Sequence, residues 1–215
     1  MVLEEMSAFF TARLEEYDEH MLSFVEGCRE AYAEMAKLLP GNAKTLLDLG
    51  CGTGLELSEI FKRIPDIEVT GIDLTKAMLQ RLGEKYPHKN IHLICGDYFQ
   101  VPFGTGFDCA VSFQTMHHFK KDKKAELYKK ICSALSAEGV YIECDYMVTS
   151  QALEDLYFRE YERLKKEQGL SDDEFFHYDT PCTVDNQIAL LKEAGFKDVK
   201  MTFRQENTTI IVGRK

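Results

Sequence analysis

The sequence predicts an α/β fold: a doubly wound, mostly parallel sheet with helices on both faces. Three observations predict it. From Lys44 onward, short apolar runs alternate with stretches of helical spacing. The runs are apolar almost throughout, as strands buried on both faces require. A glycine-rich segment joins the first run to the first helix of the series, where an open α/β sheet forms its ligand crevice.

Each element follows in order. Phe9, Phe10, Leu14, Tyr17, Met21, Leu22 and Val25 recur at three- and four-residue steps, the stripe of one or two amphipathic helices ahead of Pro40-Gly41-Asn42. Thr45 to Leu49 is a short buried strand, and Leu55 to Arg63 a helix. Ile67 to Ile72 is the second strand and Thr75 to Tyr86 the second helix, with Thr75 as its N-cap. Ile91 to Cys95 and Phe107 to Phe113 are the third and fourth strands; the helix Lys121 to Leu135, the turn Glu138-Gly139 and the strand Val140 to Cys144 complete the series. Residues 150 to 182 read as a helical insertion over the site, ending in the acidic-aromatic stretch SDDEFFHYDTP. Thr183 to Ala194 is a helix capped by Thr183, and Val199 to Arg204 with Thr208 to Val212 form an antiparallel hairpin.

The 215 residues suit one domain, 1-215: an N-terminal helical cap (1-40), a ligand-binding core (41-149), the lid insertion (150-182) and a C-terminal helix and hairpin (183-215). Apolar residues make up 45% and charged residues 29%, which places the chain among globular domains. A net charge of -10 works against a nucleic-acid partner. The first residues lack the basic-then-apolar pattern of a signal peptide, and no apolar run approaches a membrane span, so a cytoplasmic location is expected. The seven cysteines include no CxxC pair; free thiols are expected and no metal site is foreseen.

Asp48-Leu49-Gly50-Cys51-Gly52-Thr53-Gly54 joins the first strand to the first helix of the core. The third glycine comes one residue too early for a dinucleotide fingerprint, and no GK[ST] follows as in a P-loop. A ligand gripped by its phosphates is therefore disfavoured, and a nicotinamide dehydrogenase is the least favoured reading. LDLGCGTG resembles motif I of the class I methyltransferases, whose cofactor is S-adenosylmethionine. Further segments extend the likeness over residues 44 to 145: VTGIDL with Asp73 ending the second strand, Cys95-Gly96-Asp97-Tyr98 ending the third, and Phe107 to Phe113 followed by Gln114 to His118. The tail from Thr183, TVDNQIALLKEAGF and then IIVGRK, is similar to that of the family's type 11 and type 25 groups. The resemblance implies a Rossmann-like, seven-stranded sheet of order 3-2-1-4-5-7-6 whose last strand is antiparallel.

It also implies a cofactor site made of Asp48, Leu49, Gly50, Cys51, Gly52, Thr53, Gly54, Asp73, Leu74, Met78, Gly96, Asp97, Tyr98 and Gln114. Asp73 suits the ribose hydroxyls, Asp97 the adenine amino group, Tyr98 the ring, and Asp48 the cofactor's amino group. Tyr17, in a YD pair, resembles family tyrosines that reach the cofactor carboxylate; a half-buried tyrosine on the apolar stripe is the plainer alternative. His117 and His118 follow the fourth strand and are the candidate catalytic residues, as proton acceptors near neutral pH. No orienting acid for them is identifiable from the sequence. Glu143, Asp145 and Tyr146, and His177, Tyr178 and Asp179, are candidate acceptor contacts. Tyr157, Phe158, Tyr161, Glu174, Phe175, Phe176 and Asp179 give the lid an aromatic and acidic character suited to a small acceptor. Lys120-Lys121 and Lys123-Lys124 read as the start of a surface helix.

The expected activity is in-line methyl transfer to a small-molecule acceptor by a monomer or homodimer. A tRNA-modifying methyltransferase and a non-catalytic S-adenosylmethionine-binding protein are the alternatives.

Overall fold

The computed structural model describes residues 1–171 and 174–215; Asp172 and Asp173 of the acidic-aromatic stretch lie outside the described residues. Seven strands form one sheet in the order β3-β2-β1-β4-β5-β7-β6. They are β1 (Thr45–Leu49), β2 (Glu68–Asp73), β3 (Ile91–Cys95), β4 (Phe107–Phe113), β5 (Leu135–Tyr146), β6 (Lys197–Gln205) and β7 (Thr208–Arg214). β1 to β5 pair in parallel, and β7 runs antiparallel to both its neighbours.

Strand alternation divides the core in two. Leu46, Val69, Val111, Ile142 and Val212 face one layer with α3 (Cys28–Leu38) and α4 (Leu55–Arg63). Leu47, Leu49, Ala110, Tyr141 and Ile211 face the other with α6 (Lys121–Ala134) and α8 (Val184–Glu193). The glycine loop packs tightly at the top of β1. A Cβ on Gly71 of β2 would stand 2.9 Å from Cys51 Sγ, so only glycine lets the loop lie this close to its neighbouring strand.

The structure differs from the sequence reading in several places. The N-terminal region holds three helices, α1 (Met6–Ala12), α2 (Leu14–Ser23) and α3, because the chain breaks at Arg13 and again at Gly27, whose φ is 79°. β5 begins at Leu135, so Glu138-Gly139 lies inside the strand instead of preceding it. α5 (Lys76–Lys85) does start after Thr75, but the Thr75 side chain makes no capping bond; Asp73 Oδ1 accepts from Thr75 N at 2.7 Å instead. Cys95 is exposed and the other six cysteines are buried and free.

The lysine run is not a solvated face. Lys120 pairs with Glu162 and Lys121 with Glu154, both on α7 (Gln151–Gln168), while Lys124 is buried and donates to Thr180 O at 3.3 Å. Glu154 also accepts from Thr183 N at 2.6 Å and from Asn186 Nδ2. These bonds fasten α7 and the segment after it to α6 and α8. That segment in turn adds one bridge, Glu5 to Phe176, to the N-terminus, with Met6 N donating to Phe175 O at 2.9 Å and His177 N to Glu4 O at 2.9 Å.

Beneath the glycine loop, Asp48 and Glu56 are buried together. Neither oxygen of Asp48 has a hydrogen-bond partner, nor has Glu56 Oε1. Burial, then repulsion between the two, pushes Asp48 well above the carboxylate range; burial pushes Glu56 up to about 7. A folded-state value above the unfolded one means the pair's contribution is fully present below the unfolded value near 4.5 and is lost as pH rises through about 7. Glu56→Gln is therefore expected to raise the Tm of the cofactor-free protein by roughly 5 °C at about pH 8, the gap closing below about pH 4.5. Thermal unfolding of both proteins across that range checks it; an unchanged or lowered Tm at the alkaline end would count against a strained carboxylate.

Candidate functional site

The carboxyl ends of β1 to β4 surround a narrow crevice. Its floor is the glycine loop at Gly50 and Gly52. Asp73, Leu74, Thr75 and Met78 form one wall, from the end of β2 and the start of α5, and Gly96, Asp97 and Tyr98 form another, from the end of β3. Gln114, Thr115 and His118 line it after β4, and Met6, Phe10, Tyr17 and Phe175 cover it from the N-terminal helices and the segment after α7.

Local chemistry explains these positions. Gly50 has φ 70°, and a Cβ there would lie 2.6 Å from both Tyr98 OH and Thr115 Oγ1, which meet each other at 3.3 Å. Asp73 is held by two backbone donors, Gly52 N to Oδ2 at 2.9 Å and Thr75 N to Oδ1. Each of its oxygens keeps a further lone pair for a ligand hydroxyl. Burial raises its proton affinity and those amides counter it. Asp97 Oδ1 accepts from Phe99 N at 2.9 Å, which fixes its side chain at the crevice edge. α2 closes over the loop through Asp18, which accepts from Thr53 Oγ1 at 2.5 Å and pairs with Lys85 of α5.

Beyond the crevice lies a cavity of about 700 Å³. Phe10, Tyr17, Gln114 and His118 belong to the walls of both, so the two meet there. The cavity adds Phe9, Arg13, His117, Tyr146, His177, Asp179 and the turn Glu206-Asn207 before β7. His117 and His118 sit on a single 3-10 turn, Met116–His118, pinned by Thr180: its N and Oγ1 both donate to His117 O, at 2.6 and 2.9 Å. The Nδ1 of His117 meets Asp145 Oδ1 at 2.5 Å, and its Nε2 lies 3.5 Å from Asp179 Oδ1. Burial works to lower the proton affinity of His117, but the Asp145 carboxylate outweighs it and the net shift is upward. His118 goes the other way, held neutral by burial and by repulsion from His117 and His177.

Of the residues expected at the cofactor, the crevice walls bring together Tyr17, Gly50, Gly52, Asp73, Leu74, Met78, Gly96, Asp97, Tyr98 and Gln114. Asp48, Leu49, Cys51, Thr53 and Gly54 are buried behind the loop, outside the crevice walls. Asp48 lies beside the buried Glu56 and lines neither the crevice nor the adjoining cavity. The acid that was not identifiable from sequence is Asp145, 28 positions from His117 and joined to it only by the β4–β5 pairing. Its neighbour Glu143 points into the core, where it accepts from Tyr141 OH at 3.1 Å and from Gln187; it lines neither cavity. Burial, then the charge of Asp145, pushes Glu143 up to about 7. Of the expected lid contacts among the described residues, Phe175, His177 and Asp179 line a wall; Tyr161 and Phe176 pack with Leu3 and Leu164 in a separate small cluster. Phe10 and Arg13 replace them in the wall, and their only sequence signal was the apolar stripe on which Phe10 lies.

The family model described as "Methyltransferase domain" matches residues 46–139. Carboxy-S-adenosyl-L-methionine synthase of Helicobacter pylori (strain G27) is 31% identical over 185 residues, covering 81% of this chain and 77% of that protein. The corresponding protein of Campylobacter hominis is 27% identical over 205 residues, covering 88% and 85%. Among solved structures, a putative O-methyltransferase of Nostoc punctiforme superposes with TM-score 0.75 at 19% identity, covering all of this chain and 63% of its own. Human N-acetylserotonin methyltransferase, solved with its cofactor, superposes with TM-score 0.70 at 17% identity, covering 99% and 59%. The chain thus spans about three fifths of each of these two structures, and at such identities they show the fold alone. The sheet order, the strand-end motifs and the relatives agree: the chain belongs to the class I S-adenosylmethionine-dependent methyltransferases, a family of enzymes whose cofactor is S-adenosylmethionine.

Proposed function

We propose that this enzyme methylates a small molecule that enters the histidine-lined cavity and loses a proton as it reacts. The observation that carries the reading is the junction itself: His118, Gln114, Phe10 and Tyr17 wall both the crevice and the cavity. A donor held in one and an acceptor held in the other meet at that point. S-adenosylmethionine supplies a methyl group already activated by the sulfonium charge. What remains for the protein is to hold, orient and keep water away.

Asp73 receives the ribose hydroxyls through its free lone pairs, Asp97 the adenine amino group, and Tyr98, Leu74 and Met78 the adenosyl faces. Gly50 and Gly52 let the methionine portion lie against bare backbone, with Tyr17 above it. The buried residues of the loop, Asp48, Leu49, Cys51, Thr53 and Gly54, act by fixing its shape. On the acceptor side, His117 and His118 form the catalytic pair: His117 Nε2 and His118 Nδ1 lie beside Asp179, and the pair relieves the acceptor of its proton. Phe9, Phe10 and Tyr146 give the acceptor apolar walls. The lysines of the run at 120–124 are engaged in pairs within the fold, which disfavours a tRNA substrate.

A second reading comes from the relatives, whose printed name is that of carboxy-S-adenosyl-L-methionine synthases. A carboxylated donor needs a fixed cation beside the transferred carbon. Among the described residues the crevice walls hold no Lys or Arg, and the arginine of the adjoining cavity, Arg13, is paired with Glu4 at 3.1 Å, which favours plain methyl transfer.

Calorimetric titration is expected to show micromolar binding of S-adenosylmethionine and of its demethylated product, and none of NAD. Asp73→Ala should weaken both sulfur ligands by at least about a hundredfold, the cost of two hydrogen bonds to a charged group. An unchanged affinity would remove Asp73 from the site. Mass spectrometry of turnover against a panel of small phenols, acids and amines separates the two activities. Methylated acceptor with demethylated cofactor supports the first reading; a carboxylated sulfonium with no methylated acceptor supports the second.

A further inference from the structure

The cluster at the junction holds more ligating atoms than a proton acceptor needs. His117 Nε2 lies 3.5 Å and His118 Nδ1 3.7 Å from one oxygen of Asp179, and all three atoms fall within 4.8 Å of one another. Bonds of about 2.1 Å to a single cation would place such atoms roughly 3.0 to 3.4 Å apart, so a small inward adjustment suffices. Two further observations point to a cation. His118 Nδ1 is buried, with the residue 8% exposed, and has no hydrogen-bond partner. An ion pair of His117 with its two flanking carboxylates would leave that nitrogen unexplained, whereas a cation uses it. The other nitrogen of His117, Nδ1, is bound to the buried Asp145. A carboxylate behind a histidine, fixing the tautomer so that Nε2 presents its lone pair forward, is the support that metal-bound imidazoles almost always have.

We propose that His117, His118 and Asp179 bind one divalent transition-metal cation at the mouth of the donor crevice, with Asp145 as the positioning residue behind His117. Two imidazoles and one carboxylate select a borderline cation such as Fe²⁺, Co²⁺, Mn²⁺ or Zn²⁺ over Mg²⁺ or Ca²⁺, which prefer oxygen donors. Three protein ligands on one side leave coordination positions open toward the cavity. Those positions suit an acceptor hydroxyl, whose acidity a cation raises strongly. With His117 Nε2 and His118 Nδ1 committed to the cation, the hydroxyl proton leaves to water in place of the histidines; the oxygen then forms its bond to the methyl carbon as the carbon–sulfur bond breaks, and sulfur keeps that electron pair as a neutral thioether. The inference thus narrows the acceptor of the proposed methyl transfer to a hydroxyl compound. That role rests on the methyl-transfer reading, while the cation site itself does not.

Cobalt titration tests the site without turnover. The purified full chain, stripped with chelator and shown to bind S-adenosylmethionine, is titrated with Co²⁺ and followed by visible absorption and by metal analysis after desalting. One equivalent with weak nitrogen- and oxygen-type bands is expected. His118→Gln and Asp179→Asn should each lower the affinity at least tenfold, and Asp145→Asn ten- to a hundredfold, in protein that still binds the cofactor. The proposal is overturned if the cofactor-competent wild type takes up no stoichiometric Co²⁺, if the spectrum shows intense thiolate bands from one of the free cysteines, or if either ligand variant binds as the wild type does. A failed acceptor screen with an intact cobalt site would instead sink the methyl-transfer reading and leave the cation site standing.

Discussion

The close packing of the glycine loop against its surroundings is the constraint on which the site depends. Gly50 sits where a Cβ would strike Tyr98 and Thr115, and Gly71 leaves room for Cys51. With those side chains absent, the backbone of the loop reaches the ends of β3 and β4 and places Gly52 N on Asp73. One strand end thereby carries a carboxylate already oriented by amides, and the crevice is shaped before any ligand arrives. A larger residue at Gly50 would move the loop, Tyr98 and Thr115 together, so the crevice walls after β3 and after β4 are coupled through a single steric vacancy.

The second organising feature is how the additions to the sheet are fastened. α2 reaches the loop and α5 through Asp18 and reaches α5 again through Glu15 and Arg81. α7 is held by Lys120 and Lys121 at one end of α6, and Thr180 ties the chain after α7 to the histidine turn. Glu5 and Phe176 bridge the two additions over the crevice. The cover is therefore a two-part structure, N-terminal helices on one side and residues 174 to 180 on the other. Its polar ties lie at the rim, and its aromatic side chains, Phe10, Tyr17 and Phe175, face the crevice. An exposed ion pair contributes little to stability, but a buried carboxylate such as Glu154, with four kinds of donor on it, fixes a geometry.

Three acidic groups beneath the site, Asp48, Glu56 and Glu143, are buried with their proton affinities raised. Asp145 differs from them in having His117 as a partner. That contrast sorts the carboxylates near the crevice: those that meet one another, or neutral donors, sit in the body of the fold, and the one that meets an imidazole stands where the crevice and the cavity join. Burial costs are tolerated at such places when the arrangement serves binding or chemistry.

The sequence by itself determined the sheet, its connections and the donor crevice. Alternating apolar runs and helical spacing depend on neighbours within a few residues, and the strand-end motifs around Gly50, Asp73 and Asp97 are short local strings, with Thr75 N and Phe99 N holding the two carboxylates from two residues away. Boundaries moved where tertiary pairing extended an element: β5 starts at Leu135 because β4 pairs with it there, across what reads locally as a turn. The acceptor side was decided only by the tertiary structure. His117 and Asp145 come from separate strand ends, Asp179 from the chain after α7, and Phe10 from α1; nothing in their spacing announces that they meet. Lys124 reads locally as part of a surface helix and Glu143 as an acceptor contact, and both are buried in the body of the fold, because a helix face or strand face becomes inner or outer only when the next layer packs on it. Local propensity and periodicity fix which elements form, whereas long-range packing fixes which of their faces meet, and the chemistry of this site lies where those faces meet.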